Sequence, residues 1–102
     1  MNIFQSIFGN SSNVDLKSLV DDGAFLVDVR TPGEFAGGHV KGSVNIPLDM
    51  LPAQLDAFRN KKHIIVFCRS GSRSAQAKTF LEQQGIQDVT NGGAWDYVQQ
   101  FV

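Results

Sequence analysis

Residues 64–76, with the sequence IIVFCRSGSRSAQ, join an apolar segment to a polar turn and to the start of a helical pattern. The β-branched, apolar run within residues 63–67 predicts a buried strand. Residues 72–84 carry apolar side chains at helical spacing, and Gly85 is expected to end that helix. Cys68 therefore lies at the carboxyl end of a buried strand, where open α/β sheets bind their ligands.

The rest of the chain alternates short strands with helices on both sides of this unit. Further strands are predicted at residues 24–29, 43–46 and 86–89, and further helices at residues 15–23, 34–36, 48–59 and 94–101. Residues 91–93, Asn-Gly-Gly, are predicted to form a loop. This alternation predicts an α/β fold in which a central, mostly parallel sheet is flanked by helices on both faces.

The length of 102 residues suits one domain, which we place at residues 14–102. Residues 1–13 precede it as an apolar N-terminal segment and linker. Their apolar side chains (Ile3, Phe4, Ile7 and Phe8) share one helical face. That face is expected either to pack on the domain or to dock on a partner. A membrane is the weaker candidate, because the face carries no basic residue.

The composition excludes several functional classes. Nine Lys+Arg against ten Asp+Glu give a net charge of −1, which argues against nucleic-acid binding. A single cysteine excludes an internal disulfide framework and any CxxC zinc or redox pair. The chain contains neither a long apolar run nor a charged secretory signal, so we expect a cytoplasmic protein without a membrane segment. The sequence contains no metal-ligand cluster and no nucleotide-binding glycine motif, so neither a metal nor a cofactor is expected.

The turn after the cysteine has the composition of an anion-binding loop. Backbone N–H groups at a helix N-terminus lack intrahelical partners and carry partial positive charge, which stabilises a thiolate and a second anion beside it. The arginines add full charges, the glycine permits a tight turn, and the serines can cap the helix or donate hydrogen bonds. The expected binding residues are therefore Arg69, Ser70, Gly71, Ser72, Arg73 and Ser74.

A nucleophilic thiolate in such a loop suits attack on an electron-poor sulfur or phosphorus atom. Cys68 and Arg73 follow the spacing Cys-x4-Arg, whereas cysteine phosphatases use Cys-x5-Arg to surround a tetrahedral phosphate. The shorter loop favours a persulfide, in which the extra sulfur lies among the N–H groups. A cysteine phosphatase or arsenate reductase remains open as an alternative.

The chain resembles a single-domain rhodanese over residues 14–102. The matching stretches are LVDVR at 26–30 with EF at 34–35, HVKGSVNIP at 39–47, CRSGSRS at 68–74 and GGAW at 92–95. The resemblance implies the rhodanese-like fold and a sulfurtransferase of the thiosulfate type. It also implies that Cys68 takes a sulfane sulfur from a small anionic donor such as thiosulfate. The persulfide then passes that sulfur to a thiophilic acceptor such as cyanide or a thiol.

The resemblance also implies roles for the loop. Its N–H groups, in residues 69–74, are expected to hold the anionic persulfide in the manner of an oxyanion hole. Arg73 matches the position that closes such loops, so we expect it either to bind the oxygens of the donor or to brace the loop. Arg69 occupies a variable position, and whether it contacts the substrate stays open.

Three charged residues near the same sheet edge are expected to support the site: Asp28, Arg30 and Glu34. Arg30 is expected to pair with Glu34 and so to fix the loop between them. His39 resembles a structural position of the family. Trp95 is expected to be a packing or surface residue, with the wall of the pocket as one place for it.

The chain has no second cysteine, so an internal disulfide cannot discharge a persulfide. The acceptor must therefore come from outside: cyanide, a small thiol, thioredoxin or the cysteine of another protein. An alternative role is that of a persulfide carrier in a protein sulfur relay, for which the apolar N-terminal face would be a docking element. An inert binding module is disfavoured because the cysteine and its loop are intact.

Overall fold

A computed structural model describes residues 15–102 of the chain. The predicted apolar face and linker of residues 1–13, and the domain boundary at residue 14, lie outside the described residues. Within residues 15–102, no helix is long and apolar enough to cross a membrane.

Strands and helices alternate along the described chain. In order they are α1 (Leu16–Asp21), β1 (Phe25–Asp28), α2 (Pro32–Ala36), β2 (Val44–Asn45), a 3₁₀ helix (Leu48–Phe58), β3 (Ile64–Cys68), α3 (Ser72–Gln83), β4 (Val89–Ala94) and α4 (Trp95–Gln99). The strands form one sheet in the order β2-β1-β3-β4, and every neighbouring pair is parallel. The predicted α/β fold with a parallel central sheet is therefore confirmed.

Strand β3 lies between β1 and β4, and all five of its residues are buried. Its side chains alternate between the two faces of the sheet, as the pleat of any strand requires. Ile64, Val66 and Cys68 belong to the cluster that includes the 3₁₀ helix and α3. Ile65 and Phe67 pack on the other face, with α1 and α4. The side chain of Cys68 is therefore directed to the face that carries α3, the helix that follows it.

Helix α2 begins with a capping box that fixes the position of Glu34. The Glu34 N–H donates a hydrogen bond to Oγ1 of Thr31 at 3.2 Å, and the Thr31 N–H donates to Oε1 of Glu34 at 3.1 Å. Pro32 occupies the first helical position, where its missing N–H has no intrahelical partner to lose. The helix therefore begins earlier than the predicted start at residue 34.

Strand β4 differs from its prediction. A strand was expected at residues 86–89 and a loop at 91–93, but β4 spans Val89–Ala94. Asn and Gly are poor strand formers, which is why the local pattern indicates a loop. Pairing with β3 overrides that preference. The register shifts between Asn91 and Gly93, so that Gly92 is the extra residue of a β-bulge.

Gly92 leaves no space for a side chain. A Cβ there would lie 2.8 Å from Cγ2 of Ile65 and 2.8 Å from Cγ2 of Val98, and both of these neighbours are fully buried. Because β-branched side chains cannot rotate out of the way, Gly92→Ala should lower the free energy of unfolding by about 1–3 kcal/mol. Urea denaturation followed by circular dichroism measures the loss.

The matched control for that substitution is Gly33→Ala, because nothing lies within 4 Å of a Cβ built at Gly33 in α2. Alanine also has the higher helix propensity, so this variant should be at least as stable as the wild type. Equal losses of stability in the two variants would contradict the close packing described for β4.

Candidate active site

Cys68 is almost fully buried at the end of β3, with 1% of its surface exposed. The backbone turns sharply after it. Gly71 has a φ of +100°, and a Cβ there would lie 3.4 Å from Cα of Gly93, so only glycine suits the position. This turn brings two backbone N–H groups to the sulfur: Gly71 donates to Sγ at 3.0 Å and Ser74 at 3.4 Å.

Burial and hydrogen bonding act on the Cys68 thiol in opposite directions. Burial is the largest single influence and raises the pKa, because it disfavours the charged thiolate. The Ser74 hydroxyl and the N–H groups of Ser74, Gly71 and Ser70 lower the pKa, and together they outweigh burial. The net pKa of Cys68 lies below that of an ordinary thiol. A larger share of the side chain is therefore the nucleophilic thiolate at a given pH.

Arg73 does not extend freely into the site, because Glu34 holds its guanidinium. Nη1 donates to Oε1 of Glu34 at 2.7 Å, and Nη2 donates to Oε2 at 3.0 Å. This two-pronged pair joins α3 to α2 across the mouth of the loop. The hydrogen bond from Arg73, followed by that from the Thr31 N–H, lowers the pKa of Glu34 from 4.5 to about 2. Of the two roles expected for Arg73, the geometry supports the brace.

The predicted ion pair between Arg30 and Glu34 is wrong: the partner of Arg30 is Asp28. Nε of Arg30 donates to Oδ1 of Asp28 at 2.9 Å, and Nη2 donates to Oδ2 at 2.6 Å. Side chains two residues apart point to the same side of an extended backbone, so this carboxylate is the nearer one. Both side chains are buried, which makes the pairing necessary. Nη2 also donates to the carbonyl oxygen of Gly38 at 2.7 Å, which fixes the segment after α2.

An open cleft of about 370 Å³ lies at this edge of the sheet. Its lining residues are Arg30, Gly33, Glu34, Gly37, Gly38, Arg69 and Trp95. Trp95 lines this cleft, and the guanidinium of Arg30 lies 4.7 Å from the centre of its ring. A second cleft, lined by residues 58–61 and 85–88, lies toward the opposite ends of the strands and holds no candidate nucleophile.

Of the two arginines in the loop, Arg69 is the one without an ion-pair partner within the described chain. Its side chain is exposed at the cleft, and no carboxylate among residues 15–102 forms a salt bridge with it. The uncompensated positive charge of the site is therefore carried by Arg69 rather than by Arg73.

The other residues that the sequence singled out have structural roles or take no part in capping the helix. Neither Ser72 nor Ser74 caps α3, whose N-cap is Gly71 without a side-chain hydrogen bond. The ring of His39 stacks on that of Phe35, with 3.8 Å between the ring centres, which agrees with a structural position. No group of three or more His, Cys, Asp or Glu side chains within residues 15–102 is placed to hold a metal ion.

Asn91 is a residue of the site that sequence reasoning did not select. Its Oδ1 accepts hydrogen bonds from the Ser74 hydroxyl at 2.6 Å and from the Gly93 N–H at 2.9 Å. Its Nδ2 donates to the carbonyl oxygen of Gly71 at 3.2 Å. One side chain on β4 thus contacts both ends of the turn that surrounds Cys68. The only signal in the sequence was a polar residue directly before two glycines, which equally indicates a loop.

The pair of Glu34 and Arg73 should make stability depend on pH. Glu34 has a pKa of about 2 when folded and 4.5 when unfolded, so its contribution is complete above pH 4.5 and is lost as the pH falls toward 2. Glu34→Gln keeps the size and removes the charge. It should lower the free energy of unfolding by about 1 kcal/mol at neutral pH, because the pair is partly exposed. The difference from the wild type should shrink below pH 4.5.

Thermal unfolding from neutral pH down to about pH 3 measures this difference. Glu82→Gln, which breaks the exposed pair with Lys78 at the other end of α3, is the control and should have a smaller effect. A difference between wild type and Glu34→Gln that stays constant over this pH range would contradict the assignment.

Comparisons with known proteins agree with the geometry. The family model of the rhodanese-like domain matches residues 12–95. A sulfurtransferase of Allochromatium vinosum is 39% identical over 74 residues, covering 69% of each chain. The thiosulfate sulfurtransferase PspE of Escherichia coli is 36% identical over 69 residues, covering 66% of each chain. A solved structure of a rhodanese with anions from E. coli, 31% identical, superposes with a TM-score of 0.66 over 74% of this chain and 91% of that one.

Proposed function

Because the chain belongs to the rhodanese-like domain family, we propose that it transfers a sulfane sulfur from a small anionic donor such as thiosulfate through a persulfide on Cys68. The relatives named sulfurtransferases support transferase activity. The observation that carries the proposal is the pair of N–H hydrogen bonds to Sγ, at 3.0 Å from Gly71 and 3.4 Å from Ser74. These donors stabilise negative charge at the point where the nucleophile reacts.

The transfer to the enzyme is a displacement at sulfur. The thiolate of Cys68 forms a bond to the sulfane sulfur of the donor, and the bond between that sulfur and the rest of the donor breaks. The leaving group takes the electron pair, as sulfite when the donor is thiosulfate. The negative charge of the product lies on the terminal sulfur of the persulfide. The N–H groups of residues 69–74 and the N-terminus of α3 are the groups available to stabilise it.

The anionic end of the donor needs a positive charge, and Arg69 supplies it in this proposal. Arg73 is held at both ends of its guanidinium by Glu34. Arg69 lines the cleft, is exposed, and has no ion-pair partner among the described residues. Arg69 therefore binds the donor's oxygens, while Arg73 keeps the loop and α2 together.

The second half of the reaction needs an external acceptor. The chain contains no second cysteine that could attack the persulfide. In this proposal, cyanide, a small thiol, thioredoxin or the cysteine of another protein approaches through the open cleft beside the loop. Attack on the terminal sulfur returns the thiolate of Cys68 and completes the cycle.

Treatment of the reduced protein with excess thiosulfate should raise the intact mass by one sulfur atom. Cyanide should remove the added sulfur as thiocyanate and restore the original mass. Cys68→Ala is the control, and since it lacks the only thiol it should gain nothing. An unchanged mass of the wild-type protein, or an equal gain in the control, would refute the proposal for thiosulfate.

The assignment of the two arginines is tested by steady-state kinetics. Arg69→Gln should raise the KM for thiosulfate about tenfold, which corresponds to the loss of one hydrogen bond to a charged group. Its melting temperature should stay unchanged because Arg69 is exposed. Arg73→Gln should lower the melting temperature together with kcat, because it removes the brace to Glu34.

Arg59→Gln is the matched control for the loss of one positive charge, because Arg59 is exposed and lines the other cleft. It should leave both KM and kcat unchanged. A normal KM in Arg69→Gln, combined with a raised KM and an unchanged melting temperature in Arg73→Gln, would reverse the roles of the two arginines.

A further inference from the structure

We propose that Asn91 is a positioning residue: it draws the hydroxyl proton of Ser74 away from Cys68 and so biases Sγ toward the states in which it carries no charge. The inference rests on the proposed function only in taking Cys68 as the reacting group. It deepens that function by adding a residue of β4 that acts through Ser74.

The Ser74 hydroxyl has one proton and three possible partners. Its oxygen lies 2.6 Å from Oδ1 of Asn91, 3.1 Å from the carbonyl oxygen of Gly71 and 3.5 Å from Sγ of Cys68. Ser74 is fully buried, so bulk water does not supply a further acceptor. The shortest of the three contacts is the one to Asn91. While Cys68 is a thiol, the proton therefore lies on the bond to Asn91.

The orientation of the Asn91 amide is set by two backbone groups. The Gly93 N–H can only donate, and it faces Oδ1 at 2.9 Å. The Gly71 carbonyl oxygen can only accept, and it faces Nδ2 at 3.2 Å. Rotating the amide by half a turn would place two donors together and two acceptors together. The atom that faces the Ser74 hydroxyl is therefore the amide oxygen, which can only accept.

This arrangement gives the thiol and the thiolate different partners. When Cys68 is a thiol, its S–H can donate to the Ser74 oxygen while the Ser74 hydroxyl donates to Asn91. When Cys68 ionises, the thiolate can receive the hydroxyl proton only if Ser74 gives up the short bond to Asn91. Ser74 thus lowers the pKa of Cys68 less than it would without this competitor.

In the persulfide, as in the thiol, Sγ carries no negative charge for the Ser74 hydroxyl to stabilise. Once Sγ is bonded to a second sulfur, the negative charge moves to the terminal atom and Sγ itself is neutral. The Ser74 proton can then return to Asn91, and the N–H groups of the loop are left to stabilise the terminal sulfur. Asn91 therefore favours the loaded enzyme over the free thiolate, which assists sulfur transfer from the donor to Cys68.

We expect a substitution at Asn91 to leave the ionisable groups of the neighbouring segments in place. They are Asp28 with Arg30 after β1, Glu34 of α2 with Arg73 of α3, Arg69 of the loop, and the exposed Asp96 and Tyr97 of α4. Strand β4 carries no ionisable side chain of its own. None of the hydrogen bonds of these groups within residues 15–102 goes to Asn91 or Ser74.

The test is a titration of the free thiol in four proteins: wild type, Asn91→Leu, Ser74→Ala and the double variant. Leucine has nearly the shape of asparagine but no acceptor. Because the chain has one cysteine, the ultraviolet absorbance of the thiolate and the rate of alkylation both report Cys68 alone. The apparent pKa of Asn91→Leu should fall below that of the wild type, since the Ser74 proton is released to the thiolate. Alkylation at low pH should become several-fold faster.

The double variant separates this effect from simple bracing of the loop. Without the Ser74 hydroxyl, removing Asn91 should no longer move the titration, so the double variant should titrate like Ser74→Ala. Asn91→Asp keeps an acceptor for Ser74 and should not titrate below the wild type. If Asn91→Leu does not fold, Asn91→Ala takes its place in the same comparison.

A titration of Asn91→Leu at the same or higher pH than the wild type would overturn the proposal. So would a shift of equal size in the Ser74→Ala background, because Asn91 would then act through the backbone of Gly71 and Gly93. The titration uses no sulfur donor, so either result is independent of whether thiosulfate loads the cysteine.

Discussion

The hydrogen bonds from backbone N–H groups to the cysteine sulfur depend on one residue having no side chain. Gly71 takes a left-handed conformation with a φ of +100°. A Cβ on Gly71 would lie 3.4 Å from the Cα of Gly93. Only in this conformation does the chain turn back toward Sγ before α3 begins. The Gly71 and Ser74 N–H groups then both donate to Sγ of Cys68. They stabilise the thiolate, which burial alone would disfavour.

Strand β4 supplies the other half of this constraint. Its bulge at Gly92 lets the strand pack against Ile65 and Val98, and the turn after Cys68 lies against Gly93, whose Cα would be 3.4 Å from a Cβ on Gly71. The same strand carries Asn91, which contacts that turn from the side. The strand is therefore both a wall of the sheet and part of the site. Gly92 weakens the strand locally, but its missing side chain is what allows β4 to pack closely on Ile65 and Val98.

Charge pairs hold the surrounding segments in place around the sulfur. The pair of Asp28 and Arg30 ends β1 and ties the segment at Gly38, while the pair of Glu34 and Arg73 joins α2 to α3. In these pairs, most of the charged side chains near the cysteine have a partner of opposite charge. Of the two arginines that line the cleft, Arg69 has no ion-pair partner among the described residues, and we propose it as the place for an anion.

Much of this site is local in sequence and was predictable for that reason. Cys68, its loop and α3 are contiguous, and a buried strand followed by a glycine turn and a helix has a recognisable pattern. The pair of Glu34 and Arg73 was not predictable, because it depends on how α2 and α3 approach each other. The pair of Asp28 and Arg30 is local, and the prediction chose the wrong carboxylate for it. Glu34 proved to face Arg73, which is far away in sequence, rather than Arg30. For the same reason β4 and Asn91 were missed: strand pairing with β3 overrides the loop preference of Asn-Gly-Gly.

A crystal structure of the protein after treatment with thiosulfate tests the central claim most directly, namely that the loop is shaped for a persulfide on Cys68. The account predicts electron density for one additional sulfur bonded to Sγ. The terminal sulfur should lie within hydrogen-bonding distance of several N–H groups of residues 69–74. An added sulfur that points away from these groups into the cleft, or a cysteine that remains a free thiol beside bound thiosulfate, would contradict it.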